Sequence, residues 1–422
     1  MLRNFSMALP LALLLAGCAS SPAPISVNPE PASAPIANPQ DIWATPPAPV
    51  VVQPPVTPVV PPVVPPVVSA PPVQNYTNPR AGRALLERLL PQGIPARKAW
   101  SDNIFAAFTQ LKIPYSPQYF CAVMAVAEQE SSYQPDPVVP NLSNIVWQEI
   151  EQHRKKYMIP SLVVDAALLK TSPDGRSYKQ RINALRTKRE MNLLFEQMVQ
   201  EFPFGQQLLA DKNPIRDGGP MQVSVAFAQT QIHAWPYPYS YSNLRDEVFG
   251  LRGSVYFGTA ILLQYAAPYD EMVYRFADYN AGRYSSRNAA FQAAVARLTG
   301  RKLALDGDLM LYSNKMDRIF SGVASSTQSA LMTISARLQM SSGEILRDLK
   351  QEKLSGFEQS PLYQKVYALA DHQAGRRIPR EAIPQIVLVS PKFTHKLTTE
   401  WFARKVDGRY RQCLARGGFN AM

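Results

Sequence analysis

The sequence predicts a mainly α-helical fold. Apolar residues recur at steps of three and four over most of the chain after Arg80, and only Gln385 to Val389 reads as a strand. The first eighty residues are dominated by proline and contribute no packed element.

In chain order, Ala81 to Leu90 reads as a helix with Leu85, Leu86, Leu89 and Leu90 near one side. Trp100 to Leu111 follows after Pro95, and Gln118 to Ser131 makes a third helix. Asn144 to Tyr157 and Tyr178 to Phe202 are charged and amphipathic, which suggests a helical insertion. Val248 to Tyr265 is a long apolar helix. Met272 to Tyr279 and Ser286 to Leu298 flank an Asn-Ala-Gly turn, with Ser285 or Ser286 placed to cap the second of them. Leu309 to Leu369 continues with helices.

The organisation expected is a leader over residues 1–17, a tether over 18–79, a helical domain over 80–300 with an insertion near 140–215, and a basic helical region over 301–422. In the leader, Met1-Leu2-Arg3-Asn4 precedes an apolar run from Phe5 to Leu15 that is too short to span a bilayer as a mature helix. Leu15-Ala16-Gly17-Cys18 resembles the bacterial lipobox, which implies cleavage before Cys18 and acylation of that residue. Ala19 follows where an inner-membrane retention signal of enterobacteria usually has Asp. The resemblance therefore points to the outer membrane, with the body facing the periplasm. Repeats such as Pro61 to Val68 favour an extended polyproline conformation, and sixty residues of it reach on the order of 180 Å. A body on such a tether can reach the cell wall.

The 422 residues are 46% apolar, enough for a sizeable core. The net charge is +12, and residues 301–422 hold 19 Lys and Arg against 11 Asp and Glu. A basic surface favours anionic partners such as acidic glycans or lipid headgroups, or is simply a solvated face. Nucleic acid is an unsuitable target for an exported chain. The four histidines are scattered, with no HExxH and no CxxC, so neither a metal site nor a cofactor is expected. Cys121 and Cys413 can pair in an oxidising compartment or remain separate buried thiols, and their spacing does not choose.

Three patterns carry the chemistry. They are Ala127-Glu128-Gln129-Glu130-Ser131-Ser132, Gly219-Pro220-Met221-Gln222-Val223-Ser224 and Ala277-Asp278-Tyr279-Asn280-Ala281-Gly282. On the third helix Tyr119, Val123, Val126, Ala127 and Glu130 share a face, so Glu130 follows the apolar stripe while Glu128, about 200° away, should face outward. A carboxyl at the end of an apolar stripe is desolvated, which raises its pKa and suits a general acid. The other reading is a glutamate at the end of a surface helix. Likewise, Gly219 to Gln222 and Asn280 to Gly282 are also ordinary helix punctuation. Trp235 to Tyr241 holds four aromatic residues that either stack on sugar rings or cover the core.

In this order the three patterns resemble the lytic transglycosylase branch of the lysozyme superfamily, over roughly Trp100 to Leu298. The chain as a whole also resembles an uncharacterised outer-membrane lipoprotein family, a domain of unknown function. The first resemblance implies a lysozyme-like helical domain carrying a long insertion and a C-terminal extension. It implies Glu130 as catalytic acid then base, Gln222 lining a glycan groove with Met221 packed beneath it at the substrate site, Tyr279 approaching the catalytic carboxyl, and Ser131 and Asn280 beside the substrate. The implied substrate is the peptidoglycan glycan strand, cut between N-acetylmuramic acid and N-acetylglucosamine to leave a 1,6-anhydro sugar. The chain departs from the family's pattern in having about ninety residues between the glutamate and the Gly-x-Met-Gln, without a Ser-x-x-Gly-Ala stretch. Asp136 and Asp217 flank that insertion, and either as a second carboxylate would make the enzyme a hydrolytic muramidase. A non-catalytic envelope lipoprotein that binds glycan or a partner protein needs none of these carboxylates.

Overall fold

The computed structural model describes residues 78–201, 213–314, 319–388 and 397–419. Cys18, the proline-rich stretch and Val389 lie outside them. The described fold is mainly α, with three two-stranded antiparallel hairpins. These are β1 (Asp217–Gly218) with β2 (Val223–Ser224), β3 (Tyr312–Asn314) with β4 (Ile319–Phe320), and β5 (Val387–Leu388) with β6 (Leu397–Thr398). Only the β5 residues fall within the strand expected from the sequence.

The first core is built from α1 (Pro79–Leu89), α2 (Arg97–Gln110) and α3 (Pro117–Ser131). Helix α3 starts where the Ser116 side chain accepts from the Tyr119 backbone N–H at 3.1 Å and Pro117 occupies the first turn. It is apolar on every side from Phe120 to Ala127, and all eight of those residues are buried. A helix without a polar face belongs at the centre of a body. It ends at Ser132 and Tyr133, both at positive φ. Tyr133 folds back so that its hydroxyl donates to the Met124 carbonyl at 3.0 Å, while Trp100 Nε1 donates to the Tyr133 carbonyl at 2.8 Å.

The insertion forms its own small core from α4 (Leu142–Lys156), α5 (Ser161–Leu168), α6 (Tyr178–Asn183) and α7 (Lys188–Glu201). The single helix expected from Tyr178 to Phe202 is two. Thr187 caps the second: its hydroxyl accepts from Glu190 N–H, and Glu190 Oε2 accepts from Thr187 N–H, both at 3.1 Å. This reciprocal pair starts a new helix at a local sequence signal. The helix expected from Val248 to Tyr265 also divides. After α8 (Val225–Ala234), α9 (Leu244–Phe249) stops at Gly250, and α10 (Leu251–Leu263) runs through the first core.

Helices α11 (Met272–Ala281) and α12 (Ser285–Thr299) follow. No serine caps α12. The buried Asp278 carboxylate reaches across the turn and accepts from Tyr284 N–H at 2.8 Å and Ser286 N–H at 2.7 Å. It also accepts from the hydroxyls of Tyr265 (3.0 Å) and Tyr269 (2.8 Å). Burial nonetheless pushes this carboxyl above the ordinary aspartate range.

One face of α12 closes a further core with α13 (Ser326–Thr333), α14 (Ser335–Leu338), α15 (Ser342–Leu349) and α16 (Pro361–Ala374). Arg287 and Glu352 are fully enclosed beside it. The Arg287 guanidinium donates to the Leu354 and Glu352 carbonyls and lies 4.3 Å from the Tyr284 ring centroid. Glu352 accepts from Leu309 N–H and the Tyr312 hydroxyl, and burial raises its pKa.

The last helix, α17 (Thr399–Arg416), returns to the first core and packs on α3 and α11. A disulfide joins Cys121 of α3 to Cys413 of α17, with Cα atoms 5.5 Å apart. This return changes the surroundings of Glu128. Its carboxylate is partly covered and lies 3.5 Å from Arg409 Nε, because α17 occupies the side that would otherwise face water.

Candidate active site

Glu130 sits in the last turn of α3, where the helix leaves the core, and is partly buried. The preceding residues fix its height, since α3 cannot slide without exposing its apolar surface. Ser131 beside it is buried, and its hydroxyl donates to the Ala127 carbonyl at 2.9 Å, within the helix.

The second motif forms the tight turn of the β1–β2 hairpin, with Asp217 opposite Ser224 and Gly218 opposite Val223. Gly219 has φ +69°, and a Cβ there would stand 2.4 Å from the Val248 carbonyl oxygen. No other residue fits that approach. Met221 is fully buried, with its backbone N–H donating to Ser254 Oγ of α10 at 3.0 Å. Its side chain lies against Gly258, where a Cβ would meet Met221 Sδ at 2.7 Å. Gln222 takes φ +48°, a conformation costly for a residue with a Cβ. Three hydrogen bonds hold it. Its N–H (3.0 Å) and Nε2 (2.9 Å) donate to the Gly219 carbonyl, and its Oε1 accepts from Lys188 Nζ at 2.8 Å. Strain that the surroundings over-determine in this way is common at functional sites.

The third motif closes on the second. The Tyr279 hydroxyl donates to the Met221 carbonyl at 2.6 Å. Burial pushes that hydroxyl well above its ordinary pKa, and the negative charge of Glu130 pushes it further. Glu130, Met221 and Tyr279 are thus brought together from positions about ninety and sixty residues apart, and Gln222 follows Met221 directly. The Tyr279 proton itself is spent on Met221 rather than on the Glu130 carboxylate. Asn280 points elsewhere: its Oδ1 accepts from Thr399 Oγ1 at 2.8 Å, at the start of α17.

The flanking carboxylates have distinct surroundings. Asp136 accepts from Thr187 Oγ1 at 3.1 Å, and partial burial raises its pKa. Asp217 is ion-paired to Lys188. Lys188, absent from the sequence-level site, is the first residue of α7 and carries the insertion to the Gln222 amide. The aromatic loop packs inward. Tyr237 stacks on Phe257 at 5.0 Å between centroids and donates to Glu247 Oε2 at 2.5 Å, and Trp235 Nε1 donates to the Gln110 carbonyl at 3.2 Å. Tyr241 remains exposed. Among the described residues no three His, Cys, Asp or Glu side chains converge as metal ligands would, and no helix is long and apolar enough to cross a membrane.

Fold and site together define a mainly helical protein with one partly buried carboxyl beside a partly buried tyrosine and a strained Gly-Pro-Met-Gln turn. Residues 93–416 match the family described as "Protein of unknown function (DUF1615)", and the chain belongs to that family. It is 43% identical over 331 residues to the uncharacterized protein YaiW of Escherichia coli (strain K12), across 78% of this chain and 89% of that relative. No solved structure matches the chain at a significant level.

Proposed function

We propose that the chain is a lipid-anchored, lytic transglycosylase-like enzyme that cleaves peptidoglycan glycan strands from the periplasmic side of the outer membrane. The supporting observation is the convergence of Glu130 with Tyr279 and the Met221–Gln222 turn. A carboxyl at the mouth of an apolar helix can deliver a proton, and the strained turn beside it presents a fixed amide.

In this reading Glu130 protonates the oxygen between N-acetylmuramic acid and N-acetylglucosamine as the C1–O bond breaks and positive charge develops on the sugar. The resulting carboxylate then takes the proton of the muramoyl C6 hydroxyl, whose oxygen bonds to C1. The product is the 1,6-anhydro sugar, Glu130 regains its proton, and water is not consumed. Gln222 lines the groove with the buried Met221 packed beneath it, Tyr279 holds the turn against α11, Ser131 braces α3 and Asn280 ties α11 to α17. No cofactor or metal takes part.

The test is incubation of the purified full chain with sacculi, followed by mass analysis of soluble products, for the parent and Glu130→Gln. Anhydro-muropeptides from the parent and none from the variant support the proposal. Reducing ends would instead identify a hydrolytic muramidase, with Asp136 or Asp217 as second carboxylate. Uncut sacculi that retain the protein would identify a binding protein and end the catalytic reading.

A further inference from the structure

Helices α4 and α7 turn apolar stripes toward each other without filling the space between them. On α4, Val146, Glu149, Ile150 and His153 fall at i, i+3, i+4 and i+7, and on α7, Met191, Leu194, Phe195 and Met198 do the same. Stripes that meet ordinarily interdigitate to near-crystalline density. Here they enclose a cavity of about 390 Å³, walled by residues such as Leu168, Ile182, Leu194 and Met198. It lies within the insertion's own core and does not include Glu130, Tyr279 or Gln222.

The lining is mostly apolar, and its titratable members are Glu149 and His153, one turn apart on α4. Glu149 is exposed and has no ion pair or hydrogen bond among the described residues, nor does the His153 ring have a hydrogen bond. Water gains little in such a space, because it finds few polar partners. The volume equals roughly a dozen waters at about 30 Å³ each, which is also room for about a dozen hydrocarbon carbons. An unpaired carboxylate at the rim complements a positive head group and opposes a negative one. The same small body leaves Met158, Leu162 and Leu169 exposed at 88%, 78% and 63%.

From this geometry we infer that the insertion is a binding site for one amphiphile, with a single aliphatic chain in the cavity and an ammonium-bearing head at Glu149. The site is independent of the proposed glycan chemistry.

The experiment uses the full chain carrying Cys18→Ser, so that no attached acyl chain competes. The environment-sensitive probe N-phenyl-1-naphthylamine is bound, then displaced with dodecylammonium or dodecanoate below their micellar concentrations. One saturable site per chain is expected, with dodecylammonium displacing at least tenfold more tightly than dodecanoate. Glu149→Gln removes that preference. Leu194→Trp projects an indole into the cavity, shortens the space for an aliphatic chain and weakens both ligands at least tenfold, and Met198→Phe is a milder intruding variant should the first fail to fold. Absence of saturable probe binding, a preference for dodecanoate, or undiminished binding in a folded intruding variant would overturn the proposal.

Discussion

Reducing the Cys121–Cys413 disulfide should loosen the whole first core, and the size of the effect follows from the chain path. The bridge spans 292 residues of sequence. Closing a loop of that length in the unfolded chain corresponds to about 5.7 kcal/mol in the loop-entropy model, and measured bridges usually deliver 2–4 and range to about 5. Cys121 and Cys413 are both buried where α3 meets α17, so reduction also needs that interface to open. For a body of roughly 340 residues the unfolding entropy is near 0.7 kcal/mol per degree, so a loss of 2–5 kcal/mol lowers the midpoint by about 3–7 °C. Calorimetry of the parent, the reduced protein and a Cys121→Ala/Cys413→Ala double variant measures this, with thiol titration of the denatured parent counting free cysteines. A parent with titratable Cys121 and Cys413, or three coincident melting curves, would refute the argument that this bridge ties the C-terminal helix to the site helix.

Other outcomes are as specific. Tyr279→Phe leaves the Met221 carbonyl without its hydroxyl donor, which should cost about 1–3 kcal/mol in urea unfolding. Glu352 is enclosed and its pKa is raised above the ordinary 4.5 by burial. Its stabilising contribution is therefore complete below that ordinary value and is lost as pH rises through the higher folded value. Glu352→Gln should flatten this part of the stability–pH profile, as followed by thermal melts at successive pH values. On the anchoring proposal, Cys18→Ala moves the protein from the membrane to the soluble fraction or stalls its processing, read by fractionation and acyl labelling; continued labelling of the variant would remove the lipobox reading.

The helical class was legible because helix formation is governed by neighbours three and four residues away. Ser116, Pro117 and the unbroken apolar surface of α3 specify that helix almost to the residue. The same locality explains the errors. The break at Thr187 rests on two hydrogen bonds with Glu190, and the end of α9 on Gly250, signals of one residue inside long periodic runs. The two-residue strands have no period to detect. Glu130, Met221, Gln222 and Tyr279 were singled out because their motifs are contiguous. Lys188 was not, since a lone lysine at a helix start looks like any solvated charge.

What the sequence determined by itself, then, was local: the helices, their apolar faces, and three short motifs of unusual composition. Tertiary structure alone decided which of them meet. It brought α17 back onto α3, paired Cys121 with Cys413, covered Glu128 with Arg409, and set Tyr279 on Met221 near the Glu130 carboxyl. It also spent the Asp278 carboxylate on the α12 cap and left a void between α4 and α7. The physical reason is that helix propensity and periodicity are set by nearby residues, whereas burial, charge pairing and cavity volume depend on surfaces contributed from hundreds of residues away.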